Sequence, residues 1–415
     1  MNILYIDHYA GSPQMGMEFR PYYLAKEWTK MGHKVSMIAG DYSHLRKRNP
    51  SVKRDMQKCK IDGIDYYWLK TGRYEGNGVA RALTMFRFCI KLHRWSRWIN
   101  NNLKPDVVIS SSTYPIDSIP AYIISKLNKK SKYIHEVHDM WPATLIELGG
   151  MSRWNPFVML MQIGENFAYR HADEVVSLAE YAESYMIQHG LKKGRFQYIP
   201  NGIVLEEWEH AKKLPNEHFK KLEEYKKNGK FIVGYFGGHA LSNCLMSLVK
   251  TAEMIQEKKE LKDIQFVLVG DGVEKNKLIE YVTDKSIRNV TFLSSISKQS
   301  IPNLVKYFDC TYIGTMNSPL YRFGVCMNKM YDGMMAGKPI IFAINAPQTP
   351  VERYKCGIIV NPEDSKDLEK SLKELMFISD KDRRMIGENG KNAVINNFTY
   401  KILATQFESL FYVKK

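Results

Sequence analysis

Short apolar runs rich in β-prone residues alternate with stretches of helical periodicity along the whole chain, and this alternation leaves few folds open to it. In the first half such runs fall at 2–7, 34–39, 65–70, 106–110, 133–137, 174–179 and 196–200. In the second half they fall at 232–237, 265–270, 290–294, 310–314, 339–344 and 357–360. Strands this apolar are buried on both faces, which predicts parallel sheets covered by helices, an α/β fold. Single cores stop growing near ~250–300 residues. A chain of 415 residues therefore divides, and the two groups of strands predict two Rossmann-like halves, 1–205 and 229–395. Between them 206–228 is strongly charged and lacks a continuous apolar face, so it reads as the interdomain connection. Facing halves of this kind would hold a ligand in a cleft at the carboxyl ends of their strands.

Composition is that of a globular protein, 44% apolar and 25% charged. The formal net charge of +16 implies an acidic partner: nucleic acid, anionic lipid or a phosphorylated substrate. No helix-turn-helix, zinc-finger or RNA-binding signature is present, which argues against nucleic acid. The six cysteines are widely spaced, without CxxC or a Cys/His cluster at metal spacing, so reduced thiols and no metal are expected. The opening MNILYIDHY reads as a strand and lacks the basic-then-apolar order of a signal peptide, which predicts a cytoplasmic protein. No apolar run reaches the ~18 residues that a membrane span requires.

The run Asn328 to Phe342, NKMYDGMMAGKPIIF, concentrates the functional signal. Gly324 makes its approach flexible, and the N-terminus of the helix offers unpaired N–H groups and a positive dipole end to phosphate oxygens. Asp332 follows about one turn later, ~5–6 Å along, where a carboxylate can accept hydrogen bonds from two ribose hydroxyls. The combination suits a nucleotide-diphosphate sugar; the plainer reading is a solvated Asp on an ordinary connection. Gly11 and Gly16 follow the first strand and Gly237 and Gly238 a later one, where glycines admit a pyrophosphate or simply make tight turns. His138 and Asp139 stand at a strand's carboxyl end, either facing a ligand or capping the turn before Trp141 and Pro142. His135, on the strand itself, reads as a core residue. Glu18 can take a proton from an acceptor hydroxyl or complement a helix dipole, and Arg20 can hold a phosphate or sugar. From Arg81 to Lys104 there is no acid; six cations and two tryptophans surround an apolar stripe, either a sheet-packing helix or a surface for an anionic membrane leaflet.

Seven segments appear in the order found in family 4 retaining glycosyltransferases: HYAGSPQMGMEFR at 8–20, HDMWP at 138–142, IPNG at 199–202, GYFGGHALSN at 234–243, FVLVGDG at 266–272, NVTFLSSIS at 289–297 and YDGMMAGKPII at 331–341. The chain resembles that family, in the branch that builds bacterial surface polysaccharides and O-antigens. The resemblance implies the GT-B fold, with a final segment 396–415 whose helix crosses back to the first domain. It implies a metal-free enzyme, with no cofactor, moving a sugar, expected to be an N-acetylated amino sugar, from UDP to a lipid-linked or saccharide acceptor. The donor would lie against Gly16, Gly237, Gly238, His239, Ser295, Ile296, Arg322, Asn328, Lys329 and Asp332. His138 and Glu18 would be catalytic, and Arg20 and Asp139 would hold the acceptor.

Two departures stand out. The family's diphosphate-binding Arg and Lys are replaced by Gly238 and Asn243, which leaves Lys329, Arg322 or His239 to supply the charge. The first acid of the family's paired-glutamate motif has no counterpart, because VCMNK occupies that stretch. A nucleotide-sugar 2-epimerase on the same fold, or a basic scaffold binding membrane or nucleic acid, are the alternatives. The expected location is the inner face of the cell membrane.

Overall fold

The computed structural model describes residues 1–16, 20–128 and 131–412. The chain divides into two compact units, one comprising Met1–Pro200 and the chain from Tyr400, the other Asn201–Thr399.

In the first unit the described strands are β1 (Asn2–Ile6), β2 (Lys34–Gly40), β3 (Gln57–Ile61), β4 (Ile64–Leu69), β5 (Val107–Ser110), β6 (Lys132–Val137), β7 (Glu174–Ser177) and β8 (Phe196–Tyr198). They form one sheet in the order β3-β4-β2-β1-β5-β6-β7-β8. All pairings are parallel except β3 with β4. Strands β4 and β5 are buried throughout, as their largely apolar sequences require, with Asp65 and Ser110 buried among them. Strand β3 was not expected. It alternates half-buried with exposed residues at the sheet edge, so it carries no apolar run, yet its turn was readable. Asp62 and Gly63 both take positive φ, 47° and 89°, which is what a two-residue type I′ hairpin demands and why Asp-Gly favours it.

The helix Tyr400–Glu408 packs on the helix Arg20–Lys30. Trp28 is the pivot: its ring meets Tyr5, Phe407 and Phe411 at centroid distances of 5.7, 5.1 and 5.2 Å, and its Nε1 donates to the Ala404 carbonyl at 3.0 Å. The long helix Val79–Leu103 buries Met85, Phe88, Leu92 and Ile99 against its own unit. Its cations are not equivalent. Lys91 is paired with Asp55 at 2.8 Å and Arg81 lies over the Tyr9 ring, whereas Arg87, Arg94 and Arg97 are exposed beside exposed Val79, Leu83 and Ile90.

In the second unit β9 (Phe231–Phe236), β10 (Ile264–Val269), β11 (Val290–Leu293), β12 (Cys310–Gly314), β13 (Ile340–Ala343) and β14 (Gly357–Val360) form a parallel sheet ordered β11-β10-β9-β12-β13-β14. This is the doubly wound arrangement, with the direction of winding reversing between β9 and β12. In such a sheet, chain leaving the carboxyl ends on either side of the reversal diverges, which is where this topology places a ligand crevice.

Residues 206–228 are not a free connection; they belong to the second unit as the helices Leu205–Glu209 and Asn216–Lys227. The apolar face is narrow but real. His218, Leu222 and Tyr225 recur at helical spacing, and Leu222 and Tyr225 pack with Ile232, Val269 and Phe308. Among the described residues the six cysteines are free thiols, and no helix is long and apolar enough to cross a membrane.

Candidate active site

In the second unit the glycines sit where two strand ends interlock. Gly237 and Gly238 follow β9, and the Gly270–Gly272 loop follows the adjacent β10. The Gly237 amide bonds to Val269, the His239 amide to Asp271 at 2.8 Å, and the Glu274 amide back to His239 at 3.0 Å. A side chain at position 270 would lie 1.9 Å from the Gly237 carbonyl oxygen, so only glycine permits this clasp.

Across the winding reversal, the helix Asn328–Met335 begins without a side-chain cap, which leaves its first amides to other partners. Its second residue, Lys329, reaches toward the β9 loop. The ammonium donates to Tyr235 Oη at 3.0 Å and Asn243 Oδ1 at 2.6 Å, and lies 4.8 Å from the Tyr235 ring centre. Both acceptors are oriented by one atom, the Gly238 carbonyl oxygen, which takes the Tyr235 hydroxyl at 2.6 Å and the Asn243 amide at 2.9 Å. Burial pushes the Lys329 pKa down to about 8, and no carboxylate among the described residues pairs with it. The cation missing from position 243 is thus delivered to Asn243 from a different helix.

The other two candidates for that charge are placed differently. His239 is fully buried, 0% exposed, and burial pushes its pKa down to about 4, so its ring is neutral near pH 7; neither ring nitrogen has a hydrogen-bond partner among the described residues. Arg322 is exposed, donates to the Pro319 carbonyl at 2.7 Å and stacks on Phe323.

Asp332 is 7% exposed, and burial pushes its pKa up to about 6; Lys298 opposes that shift and Glu207 adds to it. Lys298 and Glu207 pair with each other at 3.5 Å. Neither was singled out in the sequence: Glu207 lies in the segment read as a connection, and Lys298 directly follows the matched motif. Beyond β11, Ser295 is exposed, and Ile296 is half-buried against Leu222 and its neighbours. Asn328 is exposed at the helix start.

In the first unit Gly16 ends the short turn Pro13–Met15 with a left-handed φ of 77°. Glu18 lies outside the described residues. Arg20 does not present itself to an acceptor. It is buried, its Nε and Nη2 donate to Glu136 Oε1 at 3.0 and 2.9 Å, and further bonds go to the carbonyls of Ile199 and Pro200. Its partner Glu136 was missed, because an acid inside an apolar strand run gives no outward sign of what it binds. Burial resists its ionisation, but Arg20, followed by His138 and Ser111, overcomes that and holds the carboxyl well below its usual range.

His138, just past β6, joins this network: its Nε2 lies 2.7 Å from Ser111 Oγ and 3.2 Å from Glu136 Oε2. Asp139 is exposed and makes no such contact. No cluster of metal-ligating side chains occurs among the described residues.

Two family models match the chain in succession, the glycosyl transferase 4-like domain over residues 15–202 and glycosyl transferases group 1 over 217–393. The chain belongs to the family 4 glycosyltransferases of the GT-B fold. It is an enzyme of the glycosyltransferase class. Its relatives include the uncharacterized glycosyltransferase MJ1069 of Methanocaldococcus jannaschii, 20% identical over 74% of each chain. WbjE of Pseudomonas aeruginosa, described as a probable glycosyltransferase, is 21% identical over 65% of this chain and 63% of its own. Sucrose-phosphate synthase from Thermosynechococcus elongatus shares the fold with a TM-score of 0.71 at 16% identity, covering 99% of this chain and 98% of that one. HepE from Anabaena, solved in complex with UDP, shares it at 0.67 and 15% identity over 99% of each.

The buried pair in the first unit yields a stability prediction. Arg20→Met strands the Glu136 charge and costs about 3–5 kcal/mol at neutral pH. With Arg20 gone, burial raises the Glu136 pKa in the folded state, so the loss shrinks as pH falls and the carboxyl protonates. Urea unfolding of wild type and variant between pH 7 and 5 checks this; a loss independent of pH contradicts it.

Proposed function

We propose that this glycosyltransferase is a retaining enzyme that takes a sugar, an N-acetylated amino sugar, from UDP and places it on a lipid-linked or saccharide acceptor in bacterial surface-polysaccharide synthesis. The observation that carries the donor half is Lys329: a half-buried ammonium without a carboxylate, beside an uncapped helix start and the Gly237–Gly238 loop, is arranged for a diphosphate. The UDP bound in HepE supports the nucleotide.

In the reaction the acceptor oxygen bonds to the anomeric carbon as the bond from that carbon to the diphosphate oxygen breaks, on the same face of the sugar. The acceptor's proton passes to the departing diphosphate, so no external base is required. Negative charge growing on the diphosphate meets Lys329 and the amides near Gly238 and Asn328, which are already fixed in place. Asp332 accepts the ribose hydroxyls. His138 is assigned to the sugar, as a hydrogen-bonding and positioning group. No metal or cofactor is invoked, since Lys329 and the helix start carry the charge neutralisation.

The exposed face of Val79–Leu103, with Val79, Leu83 and Ile90 among Arg87, Arg94 and Arg97, supports attachment to an anionic leaflet at the inner face of the cell membrane.

Asp332→Ala is expected to weaken UDP binding by about 1.5–3 kcal/mol, and unchanged affinity in the folded variant by calorimetry would remove Asp332 from the site. Uridine, with no phosphate to titrate, should lose affinity as pH falls through about 6 and Asp332 protonates; Asp332→Asn should abolish that dependence. For the membrane, replacing Arg87, Arg94 and Arg97 with Gln should release the protein from anionic vesicles in sedimentation while UDP binding survives. A wild type that ignores such vesicles at low salt argues for an ordinary helix.

A further inference from the structure

The carboxylate of Glu136 is surrounded by donors drawn from separate parts of the first unit. Oε1 takes Arg20; Oε2 takes the Tyr5 hydroxyl at 2.5 Å, the Ser111 hydroxyl at 2.5 Å and His138 Nε2 at 3.2 Å. These groups come from β1, the end of β5, β6 and the start of the helix Arg20–Lys30, and Glu136 is 0% exposed. An ionised carboxylate only accepts. Ser111 has one hydroxyl proton, and at 2.5 Å from Oε2 that proton is committed to Glu136. The Ser111 oxygen therefore turns a lone pair toward His138 Nε2, 2.7 Å away. Nε2 faces two acceptors and must itself carry a proton.

We propose that Glu136 and Ser111 are positioning residues that hold the His138 ring in one orientation with its proton on Nε2, so that Nδ1 is the nitrogen left unprotonated to accept a hydrogen bond from the sugar. The inference rests on the role given to His138 under Proposed function, and goes beyond it by naming what sets the ring's tautomer. A histidine used to accept a hydrogen bond from a sugar hydroxyl must present an unprotonated nitrogen at a fixed place. A tautomer left free would present that nitrogen only part of the time. Other charged groups near the ring are compatible with this arrangement. Asp117, held at about 7 by burial, is favoured in its ionised form by His138. His135, pushed down to about 4 chiefly by burial, is neutral near pH 7. Burial raises the Asp139 carboxyl, with His138 and Arg81 opposing that shift, and Arg20 is spent on Glu136.

The test is nitrogen-15 NMR of the full chain labelled at histidine, with the His138 signals assigned by their loss in His138→Gln. The proposal expects Nε2 protonated throughout the titration and Nδ1 alone titrating. Ser111→Ala should let the neutral ring populate the Nδ1–H tautomer. Glu136→Gln, if it folds, should lower the titration midpoint by about 1 pH unit or more. In parallel, UDP release from UDP-glucose and UDP-N-acetylglucosamine should show kcat falling roughly tenfold or more in Ser111→Ala with KM changed less than about twofold, since alignment and not binding is lost. A wild-type ring protonated on Nδ1, or a Ser111→Ala protein with unchanged spectrum and kcat, overturns the relay. Normal turnover in His138→Gln with the expected tautomer intact instead overturns the sugar role of His138.

Discussion

Lys329 is the group on which the proposed donor site depends. A cation leaves water at a cost unless neighbours replace its hydration. Here two neutral oxygens do so, from Tyr235 and Asn243, and both are aimed by the single carbonyl of Gly238. Two of the three ammonium protons are thereby used, and the third has no partner among the described residues. Burial without an anion is what lowers the Lys329 pKa to about 8, and a diphosphate arriving beside it removes that penalty. The same arrangement accounts for the replacement of the family's cationic pair. Asn243 no longer brings a charge, but it holds one that comes from the helix start.

Legibility followed burial and local chemistry. The parallel strands were visible because strands covered on both faces are apolar at every position, and β12 and β13 read as clearly as β1. Strand β3 escaped because an edge strand carries polar residues, although its Asp62–Gly63 turn was in plain sight. The 206–228 segment was misread because a helix needs only a narrow stripe, here Leu222 and Tyr225, to dock.

Site residues divided along a similar line. The place of Lys329 and Asp332 on the first turns of a helix was legible because a helix start after a glycine-bearing loop has a fixed geometry. Arg20 looked like a ligand group because a lone cation on a first helical turn is usually solvated; its partner, Glu136, lies 116 residues away. His239 was read as a cation, yet the clasp between the β9 and β10 loops seals it from water and keeps it neutral. Long-range pairing and burial of this kind are set by topology, which no local pattern encodes.

The account stands or falls on whether Lys329 meets phosphate. Titration calorimetry of Lys329→Met with UDP and with uridine decides it. The account predicts that UDP affinity drops by about 1.5–3 kcal/mol, the scale of a hydrogen bond to a charged group, while uridine affinity is unchanged. Equal losses for the two ligands, or none for either, would contradict it.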